Sequence, residues 1–172
     1  MEILIEYSYR EQDLVDLPIE DLARFVIESE GKPDTSEVSI TFVDDEEMAQ
    51  LNAQYRGLQG PTDVLSFECD NLDDEFAAPS GFEEDIYELG DIVIAPDVAE
   101  RQTAEFGTSF EGELSLLITH GLLHLCGYDH IEDDEAEHME ARERELLRAW
   151  ADRGHEAVRG VREDAATATR GK

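Results

Sequence analysis

Apolar and polar residues alternate through EILIEY at positions 2–7, the period-two pattern of a strand with one buried face. Behind Pro18, which a first helical turn tolerates, Leu22, Phe25, Val26 and Ile27 recur at helical spacing and predict a helix over 18–29. Alternation returns in EVSITFV at 37–43 as a second strand. Asp44, with Glu47 three residues on, has the form of an N-cap opening a helix that runs to about Tyr55. Gly57 and Gly60-Pro61 punctuate a turn, and TDVLSF at 62–67 reads as a third strand. Residues 70–88 are acidic and carry Pro79, Ser80 and Gly81, which predicts a solvated loop. DIVIAP at 91–96 has the continuous apolar run of a buried strand. Helices are expected at 96–106, stopped by Gly107, and at 110–126, stopped by Gly127, with a last, charge-rich helix over 132–151.

Four short strands interleaved with about five helices predict an α/β fold: a single domain over 1–151 around a four-stranded mixed sheet. Residues 152–172 are small and polar and are expected to form a flexible tail. At 172 residues and 41% hydrophobic content, the chain suffices for one real core. No apolar stretch approaches the 18 residues of a spanning helix, and MEILIEYSYREQDLVD lacks the basic flank and apolar run of a secretory signal. Two cysteines, Cys69 and Cys126, are too few for a disulfide framework and fit a reducing cytoplasm.

Charge changes this picture. The chain has 44 acidic and 13 basic side chains, a net charge of -31, and only Lys32 and Lys172 are lysines. The acidity belongs to the expected domain, because residues 151–172 hold four of the acids and five of the bases. Such a surface repels itself and repels nucleic acid at low salt. At molar salt the Debye length falls to about 3 Å and both repulsions fade. A salt-adapted cytoplasm is the environment this composition suits.

The chemistry lies in HGLLHLCGYDH at 120–130. His120 and His124, four apart in an apolar helix, leave one face a turn apart, and Gly127 lets the chain turn back so that His130 can join them. Three neutral imidazoles at about 2.0–2.1 Å hold zinc and leave a position for water, whose pKa zinc lowers to about 7. A single histidine on an apolar face is more often a hydrogen-bonded core residue. Three of five histidines within eleven residues point instead to a metal, since buried imidazoles must be satisfied by something. The spacing also matches the metzincin proteases, HExxHxxGxxH, except that Gly121 stands where they carry the general-base glutamate. Losing that proton acceptor costs about 10²- to 10⁴-fold, which disfavours peptide hydrolysis.

HGLLHLCGYDH resembles the histidine motif of the YbeY family, bacterial metal-dependent endoribonucleases of rRNA maturation. LNAQYRGLQGPTDVLSF at 51–67 and LGDIVIAPDVAERQ at 89–102 agree with that family in order and spacing, and IEDDEAEHME after the histidines is similar to it, so the resemblance spans about residues 1–150. The resemblance implies that His120, His124 and His130 ligate one zinc ion per chain. It implies that Arg56, in the YRG turn, is the functional arginine of the metal cleft, where a guanidinium can hold a phosphate bidentately. It further implies cleavage of single-stranded RNA, maturation of the 3′ end of 16S rRNA on the small ribosomal subunit, and a part in ribosome quality control. The assembly GTPase Era and a small-subunit ribosomal protein are the partners it implies. The chain departs from the family at Glu68, where proline is usual, in a longer acidic loop at 70–88, in its tail, and in its charge.

Other residues keep two readings. Asp129 could orient His130 as an acceptor or bond its own backbone in a turn. Thr62 and Ser66 could line the cleft as donors or serve as turn and strand residues. Asp63 and Asp91 could support the metal site, though strand-end pairing with a backbone N–H or an arginine is the simpler role. Cys126 suits a small buried hydrophobe better than a ligand. His138 and His155 read as surface residues, Trp150 as the anchor of the last helix, and Glu132, Asp133, Asp134 and Glu135 as first-turn charges that the helix dipole favours. Beside the nuclease stand two further readings: a metzincin-like protease, and a zinc-stabilised ribosome-assembly factor that binds without cutting.

Overall fold

The computed structural model describes residues 1–69, 86–128 and 132–154. Its elements run β1 (Glu2–Tyr7), α1 (Glu11–Leu14), α2 (Ile19–Ser29), β2 (Ser36–Phe42), α3 (Asp45–Arg56), β3 (Val64–Glu68), β4 (Tyr87–Ile94), α4 (Pro96–Phe106), α5 (Phe110–Leu125) and α6 (Asp133–Asp152). The strands form one mixed sheet in the order β1-β2-β4-β3. β1, β2 and β4 are parallel, and β3 pairs antiparallel with β4 at the edge.

Side-chain alternation divides the core between the two faces of the sheet. Val38, Ile40 and Phe42 of β2 and Ile92 and Ile94 of β4 pack with α2, α5 and α6 in the main cluster. Leu65, Phe67 and Val93, the residues in between, turn to the other face and meet Met48 and Leu51 of α3. α5 is predominantly apolar and buried nearly all round, the central helix of the fold: Leu114, Leu117, Ile118, Leu122 and Leu123 are each at most 1% exposed. Trp150 is buried against Phe25, with ring centroids 5.6 Å apart, and anchors α6 on α2 as expected.

Local chemistry sets several boundaries. Asp44 accepts a hydrogen bond from the Glu47 N–H at 2.9 Å, the cap anticipated for α3. One boundary requires correction. β4 begins at Tyr87, inside the stretch assigned to the acidic loop, and ends at Ile94, because Pro96 opens α4. A register shift between Glu37 and Val38 on β2 and a positive φ of 137° at Gly90 accompany that longer strand. The described residues also contain six helices, since a single turn, α1, precedes α2. Residues 70–85 and the tail from 155 onward, His155 included, lie outside the described residues. No helix among the described residues is long and apolar enough to cross a membrane.

Candidate active site

α5 is capped by Ser109, whose side chain accepts from the Gly112 N–H at 2.9 Å. It ends at Leu125, two residues before the stop expected from sequence, and Cys126 is its C-cap. Gly127, with φ 108°, then turns the chain. The Gly127 N–H bonds the His124 carbonyl and the Tyr128 N–H bonds the Leu123 carbonyl, each at 3.0 Å. This paired exit is a Schellman arrangement, and it brings Tyr128 back over the last helical turn.

His120 and His124 sit on this final stretch of α5 with ring centroids 4.9 Å apart and planes at 82°. Each ring is tied through Nδ1. Nδ1 of His120 bonds the Glu143 carboxylate of α6, and both side chains are buried. Nδ1 of His124 lies 3.1 Å from the Tyr128 carbonyl oxygen, which can only accept, so that nitrogen carries the proton. With Nδ1 as donor in both rings, Nε2 is the nitrogen whose lone pair suits a metal. The two imidazoles and their oriented tautomers therefore fit zinc. Among the described residues no group of three His, Cys, Asp or Glu side chains is placed to hold a metal. His130 and Asp129, the expected third ligand and its neighbour, lie outside the described residues.

Both histidines line a cleft of about 650 Å³ bounded by β3, α4, the 57–63 turn and the end of α5. Arg56 stands on its wall as the last residue of α3, where the helix dipole favours a cation. The turn after it is fastened by Asn52, whose Nδ2 donates to the Gly60 carbonyl at 2.8 Å. Gly57, at φ 67°, supplies the left-handed step that ends α3. Asp63, Glu68 and Glu105 share the cleft, so Arg56 faces a largely acidic rim.

The remaining candidates separate cleanly. Ser66 lines the cleft and donates to the Gly121 carbonyl at 3.4 Å, bracing β3 against α5. Asp63 accepts from the Val64 N–H at 2.7 Å and from Gln102 at 3.1 Å, a strand-end role that also orders the cleft wall, and Thr62 lies beside it. Asp91 pairs with Ser39 at 2.5 Å, and its side chain is not among those lining the cleft. Burial pushes the Cys126 thiol up to about 11, as suits a small, partly buried hydrophobe. His138 is exposed and stacks on Tyr128 at 5.4 Å. Glu132 and Glu135 form a capping box at the start of α6.

Gly121 marks a steric limit. A Cβ built there would lie 3.1 Å from two carbons of the buried Ile92 side chain. A side chain at this position, the protease glutamate included, would therefore require the buried Ile92 side chain to give way. Glu143 was not singled out from sequence, because a glutamate in the run EARERELL looks like one more surface charge. Its signal was positional: Met139, Glu143, Leu146, Leu147 and Trp150 form the buried stripe of α6, and Glu143 interrupts an otherwise apolar face.

Comparison with known proteins places this geometry in context. The sequence profile of the family described as Endoribonuclease YbeY matches residues 6–151. The Endoribonuclease YbeY of Frankia casuarinae is 40% identical over 150 residues, covering 87% of this chain and 75% of that protein. The one from Thermoanaerobacter sp. strain X514 is 41% identical over 152 residues, covering 86% and 96%. The Bacillus subtilis Endoribonuclease YbeY is 41% identical over 132 residues, covering 77% and 83%. The solution structure of TM1509 from Thermotoga maritima aligns with a TM-score of 0.54 at 29% identity, covering 92% of this chain and 98% of that one.

Proposed function

The chain belongs to the Endoribonuclease YbeY family, an RNA-cleaving hydrolase family, and on that premise we propose that it is a zinc-dependent endoribonuclease of single-stranded RNA. One observation carries the site assignment: two imidazoles with their Nδ1 atoms tied back to the protein share a cleft with Arg56. His120, His124 and His130 would hold one zinc ion, with Asp129 available to orient His130. Bound there, zinc would supply Lewis acidity to polarise a phosphate or a water.

The chain's own residues do the rest. Arg56 grips the scissile phosphate through two guanidinium N–H groups and offsets the charge that develops on its oxygens. Glu143 and the Tyr128 carbonyl hold the two rings still, so the site reorganises little during cleavage. Asp63, Glu68 and Glu105 oppose a polyanion, so a strand entering the cleft depends on Arg56 and on screening by salt. The biological reading is maturation of the 3′ end of 16S rRNA and ribosome quality control on the small subunit, in the cytoplasm. Partners in that reading are the assembly GTPase Era and a small-subunit ribosomal protein.

The test pairs elemental analysis with cleavage of single-stranded rRNA in low and molar KCl, for wild type, His124→Ala and Arg56→Ala. About one zinc per chain, with cleavage lost in both variants, supports the reading. Zinc without cleavage under any condition overturns the nuclease assignment in favour of a zinc-stabilised assembly factor. A 2′,3′-cyclic phosphate on the products would identify the RNA 2′-OH as nucleophile, and its absence would identify water.

A further inference from the structure

We propose that Glu143 is a positioning residue for His120, and that through it the docking of α6 and the binding of metal become one linked equilibrium. The inference rests on the metal reading above. Glu143 is 4% exposed and His120 is 6% exposed, and they meet across the α5–α6 contact although 23 residues separate them in the chain. The other buried residues of α6 are Met139, Leu146, Leu147 and Trp150, all apolar. A leucine at 143 would continue that stripe without the desolvation cost that a buried carboxylate carries. The carboxylate is matched instead to the Nδ1–H of His120. Accepting from that N–H fixes the tautomer, directs the lone pair to Nε2 and raises the basicity of the imidazole toward a cation.

The two rings are supported differently. His124 leans on a main-chain carbonyl three residues beyond the end of its own helix, a contact that forms whenever the helix exit forms. His120 leans on a side chain from another helix, so its orientation exists only while α6 is docked. Binding zinc at Nε2 therefore favours docked α6, and docked α6 favours zinc, by equal factors. Glu140, three residues before, senses the same buried environment: burial and then the Glu143 charge push its carboxyl up.

The experiment compares the full-length wild type with Glu143→Gln and Glu143→Leu. Zinc affinity is read by competition with a chromogenic chelator, and melting temperature is recorded with and without zinc. Loss of zinc affinity of about 10- to 100-fold is expected in Glu143→Leu. Glu143→Gln, which keeps an acceptor oxygen but not the charge, is expected to fall between it and wild type. The rise in melting temperature on adding zinc should shrink in the same order. A residue that merely fills space would leave Glu143→Gln indistinguishable from wild type in zinc affinity, and that result overturns the proposal. Should Glu143→Leu fail to fold, Glu143→Gln decides alone. Absence of zinc binding in the wild type would overturn the metal reading and this inference together, whereas normal binding by both variants would overturn only the inference.

Discussion

The carbonyl oxygen of Tyr128 lies 3.1 Å from Nδ1 of His124, a link made by the way the helix ends. Gly127 makes that ending possible. Its φ of 108° is one that L side chains rarely adopt, and a Cβ there would meet nothing within 4 Å. Any penalty for substitution is therefore conformational. Gly127→Ala is expected to destabilise the metal-free protein by about 1–2 kcal/mol and to weaken zinc binding as well, because the Tyr128 carbonyl moves. Urea unfolding and chelator competition measure the two effects, and unchanged stability would contradict the account of the exit turn.

Gly121 presents the opposite case, since there the obstacle is space. Gly121→Ala pushes a methyl group against the Ile92 side chain and is expected to cost about 1–3 kcal/mol by overpacking. Gly121→Glu, which would complete the protease motif, is expected to unfold the chain or lift α5 rather than produce peptidase activity. Denaturant titration and a casein assay check both, and a stable, proteolytic Gly121→Glu variant would refute the steric argument.

Arg56 is exposed at the end of α3, so its substitution should spare stability and act on the RNA. Arg56→Ala is expected to slow cleavage by about 10²- to 10³-fold, the size found on removing one donor to a developing oxyanion. Arg56→Lys should recover only part of it, having charge without the planar fork. Single-turnover cleavage of a single-stranded rRNA fragment, with melting temperature as control, decides the matter.

Tyr9 carries the pH prediction. Its hydroxyl donates to Asp97 at 2.7 Å, and that hydrogen bond, followed by burial, pushes the phenol up. A folded pKa above the unfolded one means a contribution to stability that is complete below the usual tyrosine value of about 10 and lost as pH rises through the folded value. Tyr9→Phe is expected to flatten the alkaline loss of stability above about pH 10. Urea titrations at several pH values test this, and an equally steep profile in the variant would rule it out.

Salt should stabilise the fold. Arg10 bridges Asp13, Asp97 and Glu100, and Arg142 bridges Glu30 and Glu145, so single cations already serve several carboxylates. Salt weakens such surface pairs, but each is worth only about 0–1 kcal/mol. Repulsion across a net charge of -31 is the larger effect that salt removes. The melting temperature is expected to climb from about 0.1 M to molar KCl as the Debye length falls from about 10 to about 3 Å, and a flat or falling curve would sink the argument.

The sequence by itself determined the local elements. β1 was legible from alternation, α3 from Asp44 and Glu47, and the buried α5 from an apolar run carrying two histidines four apart. These signals lie within a turn or two of chain, where propensity, capping and periodicity act. The start of β4 was hidden because Tyr87-Glu88 continues an acidic stretch, and only pairing with β2 makes a strand of it. The order β1-β2-β4-β3 and the antiparallel edge strand rest on hydrogen bonds between segments far apart in sequence. Glu143 belongs to the same class: its charge reads as a surface residue until α6 packs on α5 and leaves Nδ1 of His120 as its partner. The tertiary structure alone decided which nitrogen of each imidazole is tied down, because that depends on what burial places beside the ring. It also decided that Gly121 is a contact with Ile92 rather than a vacancy in a protease motif, since close packing of helix on sheet makes any Cβ there crowd the Ile92 side chain.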